Sequence, residues 1–380
     1  MAQDKRFHAL DSFRGVCALA VVVYHLHVVG SITELQFFSN ADLFVEFFFV
    51  LSGFVITHAY GSGAPIDFRK FFILRTFRLL PLHVFMLGVF ILFEFLKLLA
   101  AHKGFAFNKE PFTGQYAPSQ ILPNLFLIQA WTPLTENLSF NYPAWSISIE
   151  YYMYMIFAGV SFFCAAHKKL AWSAISLGAF VLLYNNAGAL TEFAYKGLSC
   201  FFAGALSYGV FGVIKKNLKT NYVVYSLLEV VSLCLIVMAL NSDLTQKTIV
   251  CSLLFCGVVT LFAFDAGVVS SLLKTRVFSF LGRLSYSIYL THVVVLSGLI
   301  LVFLVLEKRT GLTLAPMMGD VRYIDTGSSL LNNLLVALIL LCVVGISYVT
   351  YTVIEVNGQK VGRYLINGRL KKIPAVINPV

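Results

Sequence analysis

Phe13 to Val29 reads FRGVCALAVVVYHLHVV, long enough to cross a bilayer as a helix, yet it carries Arg14 near one end and His25 most of the way along. Ionisable groups are expensive in lipid and mark a functional position by default. Arg14 and His25 are eleven positions apart, close to three helical turns, so on a helix they share a face about 16 Å apart along the axis. A cation near the membrane surface and an imidazole deep on the same face suit a long anionic ligand lying along the helix. The plainer reading is a snorkelling arginine and a packed histidine.

The composition around this stretch sets the class. The 380 residues are 59% hydrophobic and 12% charged, with mean hydropathy +0.83. A soluble domain could not hide that much apolar side chain, so the chain reads as an all-α polytopic membrane protein. Its 36 Phe and 18 Tyr suit aromatic-rich helix interfaces. The net charge of +10 lies in short loops between apolar runs, which encodes topology rather than nucleic-acid binding. Cys17, Cys164, Cys200, Cys234, Cys251, Cys256 and Cys342 all sit in apolar runs without CxxC spacing, so neither a disulfide framework nor a zinc site is indicated. The basic amino terminus resembles a signal peptide, but no small-residue cleavage site follows, so the first run reads as a retained span.

Apolar runs of membrane-spanning length predict a bundle of about ten transmembrane helices at 13–30, 42–60, 80–101, 145–166, 171–186, 194–212, 222–240, 247–265, 284–306 and 331–354, one transmembrane domain over 1–380. The run at 171–186 is short, and Pro-broken 118–131 reads as a membrane-surface or re-entrant segment. With the amino terminus in the cytoplasm, the inside connections collect Lys5, Arg6 and Arg14; Arg69, Lys70, Arg75 and Arg78; Lys168 and Lys169; Lys215, Lys216 and Lys219; Lys274, Arg276 and Arg283; and Lys360, Arg363, Arg369, Lys371 and Lys372. That asymmetry predicts both termini cytoplasmic, with 355–380 a short cytoplasmic tail. The outside connections are 102–144 and 307–329, the latter containing Glu307, Asp320, Arg322 and Asp325.

Four further stretches carry ionisable or polar groups into the apolar runs. Glu46 lies among phenylalanines in DLFVEFFFVLSGF, where a carboxylate must be neutralised, paired or wet. Ser52-Gly53 in the same run suits close helix packing. The loop FRKFFILRTFRLLPLH holds Arg75 and Arg78 three apart, pointing the same way on a helical turn and able to clamp phosphate or bind lipid headgroups. Glu150 follows Trp145 in AWSISIEYYMY, and Ser285, Tyr289 and His292 fall on one helical face of FLGRLSYSIYLTH. On the expected topology His25, Glu46 and Glu150 share the outer layer, as an acid–base site would require, and the arginines form a cytoplasmic cation layer. His25 and His27 are two apart and point to different sides of a helix, so no metal is expected.

In this order and spacing the motifs LDSFRGVCALAVVVYHLH, FFFVLSGF, Arg75-x-x-Arg78, AWSISIEYYMY and FLGRLSYSIYLTH make the chain resemble the acyltransferase-three family of integral membrane acyltransferases over essentially its whole length. The resemblance implies transfer of an acyl group, most often acetyl from acetyl-CoA, to a hydroxyl of a sugar or other envelope acceptor. It matches Arg14 and His25 to the family's essential pair and Arg75 and Arg78 to its second arginine pair. Glu46 stands where the family pattern has Asp, which lengthens the reach by one methylene. Many relatives carry an extra extracytoplasmic hydrolase-like domain, and this sequence reads as the stand-alone form. The expected site is therefore His25, Glu46 and Glu150 for catalysis, Arg14, Arg75 and Arg78 for the CoA thioester, and Trp145, Tyr289 and His292 for a carbohydrate or glycolipid acceptor. The expected location is a bacterial inner membrane, with a cell-surface polysaccharide such as O-antigen or exopolysaccharide as acceptor. The rival reading is a proton-coupled transporter or flippase using His25, Glu46 and Glu150 as a relay, which leaves the cation layer without a role.

Overall fold

A computed structural model describes residues 6–61, 66–103, 110–319 and 321–368. Lys5, Arg369, Lys371 and Lys372 of the expected inner layer, and Asp320 of the outer loop, lie outside the described residues. The chain order is α1 (His8–Tyr24), α2 (Gln36–Ser39), α3 (Phe44–Tyr60), α4 (Phe68–His102), α5 (Ile121–Leu125), α6 (Ala144–Phe163), α7 (Lys168–Tyr184), α8 (Glu192–Asn217), α9 (Tyr222–Leu240), α10 (Lys247–Phe262), α11 (Val268–Leu273) and α12 (Arg276–Thr310). A short antiparallel hairpin, β1 (Met317–Met318) and β2 (Val321–Arg322), precedes α13 (Ser329–Thr350) and α14 (Val356–Asn367).

Among the described residues six helical stretches are long and apolar enough to cross a membrane: Ala41–Tyr60, Phe68–His102, Glu192–Asn217, Tyr222–Leu240, Arg276–Thr310 and Ser329–Asn367. The other four expected spans are helices too, of 17, 20, 17 and 16 residues for α1, α6, α7 and α10. Three of these fall short of the roughly 20 residues a straight crossing takes.

Two local expectations are corrected. The run 13–30 is helical only to Tyr24, because the chain beyond it pairs elsewhere: Val28 bridges Ile324, Val29 N–H donates to Ile324 O at 3.0 Å, and Ile324 N–H donates to His27 O at 2.9 Å. Arg75 and Arg78 lie inside α4, not in a loop; Asp67 caps that helix by accepting from Lys70 N–H at 3.0 Å. Residues 356–367, within the expected tail, form α14. Pro81 inside α4 has no N–H for the Phe77 carbonyl, and α14 packs over that place through Gly358 and Gly362. A Cβ at these positions would come within 2.6 Å of Pro81 Cγ and 2.7 Å of Phe77 Cβ.

The chain forms two compact units, 1–51 with 207–349 and 52–206 with 350–380. In the first, α1 and α12 are the principal helix pair. A Cβ on Gly15 would lie 2.4 Å from the Leu281 backbone, and one on Gly282 would lie 2.3 Å from Asp11 O, so the two backbones touch. Small residues allow that approach, which gains packing where lipid supplies no hydrophobic drive. Glu229, fully buried on apolar α9, is satisfied by the start of α11. It accepts from the N–H groups of Gly267, Val269 and Ser270 at 2.9–3.0 Å and from the Ser270 hydroxyl. A carboxylate there also complements the helix dipole. In the second unit Gly53 is the tight point: a Cβ would lie 1.8 Å from Phe201 O, so the Gly53 turn of α3 lies directly on α8.

Candidate active site

His25 and His292 meet in the first unit because their helices run parallel and in register. Gly15 and Gly282 are 267 positions apart, and so are His25 and His292. Each histidine lies ten residues beyond its glycine, about 15 Å along the axis. The stripes Gly15, Ala18, Val22, His25 and Gly282, Ser285, Tyr289, His292 share a 3-4-3 spacing, the seam of two helices that stay together. Ala18, Val22, Ser285, Tyr289 and His292 are all buried.

His25 is the C-cap of α1, but with φ −87° and ψ −3° it keeps the helical phase, and its N–H still reaches Val21 O. The shared face with Arg14 therefore continues to the imidazole. His292 Nε2 lies 3.1 Å from His25 Nδ1, and the rings stack at 5.1 Å and 23°. His292 Nδ1 faces the Ile288 carbonyl at 3.3 Å. A carbonyl only accepts, so a neutral His292 protonated on Nδ1 offers Nε2 as an acceptor. His25 then donates from Nδ1 and carries its basic lone pair on Nε2, an orientation of the kind a general base requires.

The segment after His25 is pinned by the 307–333 region. Ser31 and Thr33 tie back to Val28, and Asn332 Nδ2 donates to Val29 O at 2.7 Å and to Asp325 Oδ1 at 3.0 Å. Asp325 also accepts from Gly327 N–H at 2.8 Å; these donors, the Asn332 amide first, hold its carboxyl below the usual range. Tyr289 packs edge-on against Phe48, 6.1 Å from the His292 ring. Glu46 is buried in the first turn of α3, beside Phe47, which packs on Phe13 and Phe255. Arg14 is half-buried on α1.

The second unit holds Glu150, Arg75, Arg78 and Trp145. Glu150 Oε1 accepts from Ser52 Oγ at 2.6 Å and from the Tyr154 hydroxyl. The Tyr154 ring lies under the Arg75 guanidinium at 5.2 Å, and Tyr60 and Phe71 stand 5.7 Å from the same group. Three rings around one guanidinium stabilise it away from water. Arg75 is buried, whereas Arg78 is half-buried and within electrostatic reach of the same phenol. Trp145 stacks on Phe193 at 4.2 Å.

Sequence spacing anticipated the His292 face but not its bond to His25. Tyr154 was missed although it is one helical turn from Glu150, a spacing that identifies it. Ser52, read as packing, is also a donor to Glu150, and no local signal links positions 52 and 150.

The acyltransferase-three family model, described as an acyltransferase domain, matches residues 7–352. A Bacillus subtilis (strain 168) protein named "Putative peptidoglycan O-acetyltransferase YrhL" is 30% identical over 163 residues, 39% of this chain and 22% of that protein. A Staphylococcus aureus (strain COL) protein named "Putative O-acetyltransferase SACOL0978" is 26% identical over 323 residues, 76% of this chain and 50% of its own. "Acyltransferase MdmB" of Streptomyces mycarofaciens is 27% identical over 169 residues, 40% of this chain and 38% of its own. The chain spans half or less of the length of these relatives. No solved structure matches. Since the matched region takes in α1, α3, α4, α6 and α12 with every candidate residue above, the chain belongs to the acyltransferase-three family.

Proposed function

We propose that this chain is a membrane O-acyltransferase that moves an acetyl group from cytoplasmic acetyl-CoA to a hydroxyl of an extracytoplasmic sugar. The observation that carries the reading is the His25–His292 hydrogen bond at the end of a helix that also bears Arg14. The cations offered to the donor's phosphates are Arg14 in the first unit and Arg75 and Arg78 in the second, and the pantetheine arm follows α1 toward the imidazole. His25 Nε2 takes the proton of the acceptor hydroxyl as that oxygen attacks the thioester carbonyl. The C–S bond breaks, and the leaving CoA thiolate receives the proton. A route through an acetyl-His25 intermediate uses the same groups. His292 orients the ring; Glu46 in the first unit and Glu150 in the second are the carboxylates offered for acid–base work, and Tyr289 and Trp145 are offered for acceptor contact.

The family and the relatives' names support acyl transfer to oxygen, and the peptidoglycan in the B. subtilis name supports an envelope glycan as acceptor. Our reading is a cell-surface polysaccharide such as O-antigen or exopolysaccharide, modified at a bacterial inner membrane. Ten crossings with both termini cytoplasmic fit the six long helices plus α1, α6, α7 and α10. Mass spectrometry of surface glycans with and without the gene tests the function. Loss of one acetyl increment per modified sugar is expected, whereas disappearance of the whole polymer would favour the flippase reading.

The arginines separate by burial. Arg78→Ala is expected to raise the apparent KM for acetyl-CoA about tenfold, the order of one lost charge-assisted phosphate contact, with the folded fraction unchanged. Arg75→Ala is expected to lower the folded yield as well, because it empties an aromatic enclosure. Unchanged donor affinity in Arg78→Ala would assign these cations to lipid headgroups instead.

A further inference from the structure

The first unit contains a groove of about 710 Å³ formed by the end of α8, the first half of α9 and the end of α10. That volume is in the range of sites that hold a small molecule. Its walls are apolar, with Val210, Leu228, Leu261 and Phe264 among them, and its mouth carries Lys219 and Asn221. From Asn221 to Leu228 the groove follows two turns of α9, about 10 Å. Gly257 lies in its wall, and a Cβ there would meet nothing within 4 Å. The groove keeps open space at that wall position of α10, where glycine supplies no side chain.

The mouth is predominantly cationic: Asp265, the residue after Phe264 in the wall, already accepts from Ala9 N–H at 3.0 Å. Residues 207–228 contain Lys215, Lys216 and Lys219 and no carboxylate. Glu229, the next acidic residue, is fully buried and held by the start of α11. Lys216 and Lys219 are exposed, and Lys215 lies 5.7 Å from the Phe211 ring. The connection 218–221 joins two apolar helices, each long enough to span, so it sits at headgroup level whichever way the chain is oriented. Cations at that level attract lipid phosphate.

We propose that this groove binds one anionic phospholipid, with an acyl chain between α8, α9 and α10 and the headgroup phosphate on Lys216 and Lys219. The apolar walls match a hydrocarbon chain, and the exposed lysines match an anionic head over a zwitterionic one. The site is separate from the acyl-transfer reading and stands without it.

The test is native mass spectrometry of the full chain released from bilayer nanodiscs holding equal phosphatidylglycerol and phosphatidylcholine. One retained phosphatidylglycerol is expected in preference to phosphatidylcholine. Gly257→Phe fills the groove and is expected to reduce that retention at least tenfold. Lys216→Gln with Lys219→Gln, at exposed positions that the fold does not need, is expected to cut the preference for phosphatidylglycerol about tenfold. Equal retention of the two lipids, or undiminished phosphatidylglycerol in the lysine variant, overturns the proposal, and so does full retention by a folded Gly257→Phe protein. Should Gly257→Phe fail to fold, the lysine variant decides alone.

Discussion

His25→Ala is expected to lower the rate of acyl transfer about a thousandfold, with the protein still folded and membrane-inserted. That size is what loss of a positioned general base removes. Folding is spared because His25 is a half-buried residue at the end of α1, and the closest backbone approach of α1 to α12 lies ten residues earlier at Gly15 and Gly282. His292→Ala separates positioning from chemistry. It leaves His25 in place without its acceptor and is expected to lower kcat about tenfold at unchanged KM, the order of one lost hydrogen bond. The checks are initial rates with radiolabelled acetyl-CoA in proteoliposomes and a folded-fraction measurement on the same samples. A folded, inserted His25→Ala protein with near-normal turnover removes His25 from the chemistry.

The second large effect is structural. Gly15→Leu or Gly282→Leu drives a side chain into backbone atoms of the partner helix, which cannot rotate away as a side-chain tip would. Overpacking ordinarily costs about 1–3 kcal/mol, and a clash with main chain belongs at or above the top of that range. The helices must part, and the His25–His292 contact at the far end of the same seam goes with them. Gly298→Ala, on the same α12, is the matched control. Its Cβ meets nothing within 4 Å, and replacing a helix-interior glycine gains up to about 1 kcal/mol. Thermal unfolding in detergent should therefore fall steeply for the first two variants and hold or rise for the third. Equal behaviour of all three would contradict the close crossing.

These contrasts also explain what the sequence could and could not disclose. The membrane-protein class followed from uninterrupted apolar runs, and the face shared by Ser285, Tyr289 and His292 followed from helical period, since both are local properties. The end of α1 was not local. The run continues apolar through Val29, and only pairing with Ile324, nearly three hundred residues away, takes the backbone out of the helix at Tyr24. The cationic loop was misjudged for a related reason. Pro81 argues for a break, yet α14 covers the affected turn with Gly358 and Gly362, and α4 runs through. At the candidate site, the residue types were legible while their partners were not. Phe71 lies one helical turn before Arg75 on α4 and is local, but nothing near Arg75 in the chain shows that Tyr60 and Tyr154 will join it, nor does anything near His25 select His292. The equal offset of the two glycines and the two histidines can be seen once the helices are paired, not before.

The central claim is that a cytosolic thioester is brought to the imidazole of His25. It is tested most directly by an experimental density map of the full chain with a non-hydrolysable acetyl-CoA analogue. The account predicts the analogue's carbonyl carbon near His25 Nε2, at about 3–3.5 Å, with the pantetheine arm along α1. An analogue bound with its acyl end remote from His25, or His25 turned toward lipid with no path to it from the cytoplasm, would contradict the account.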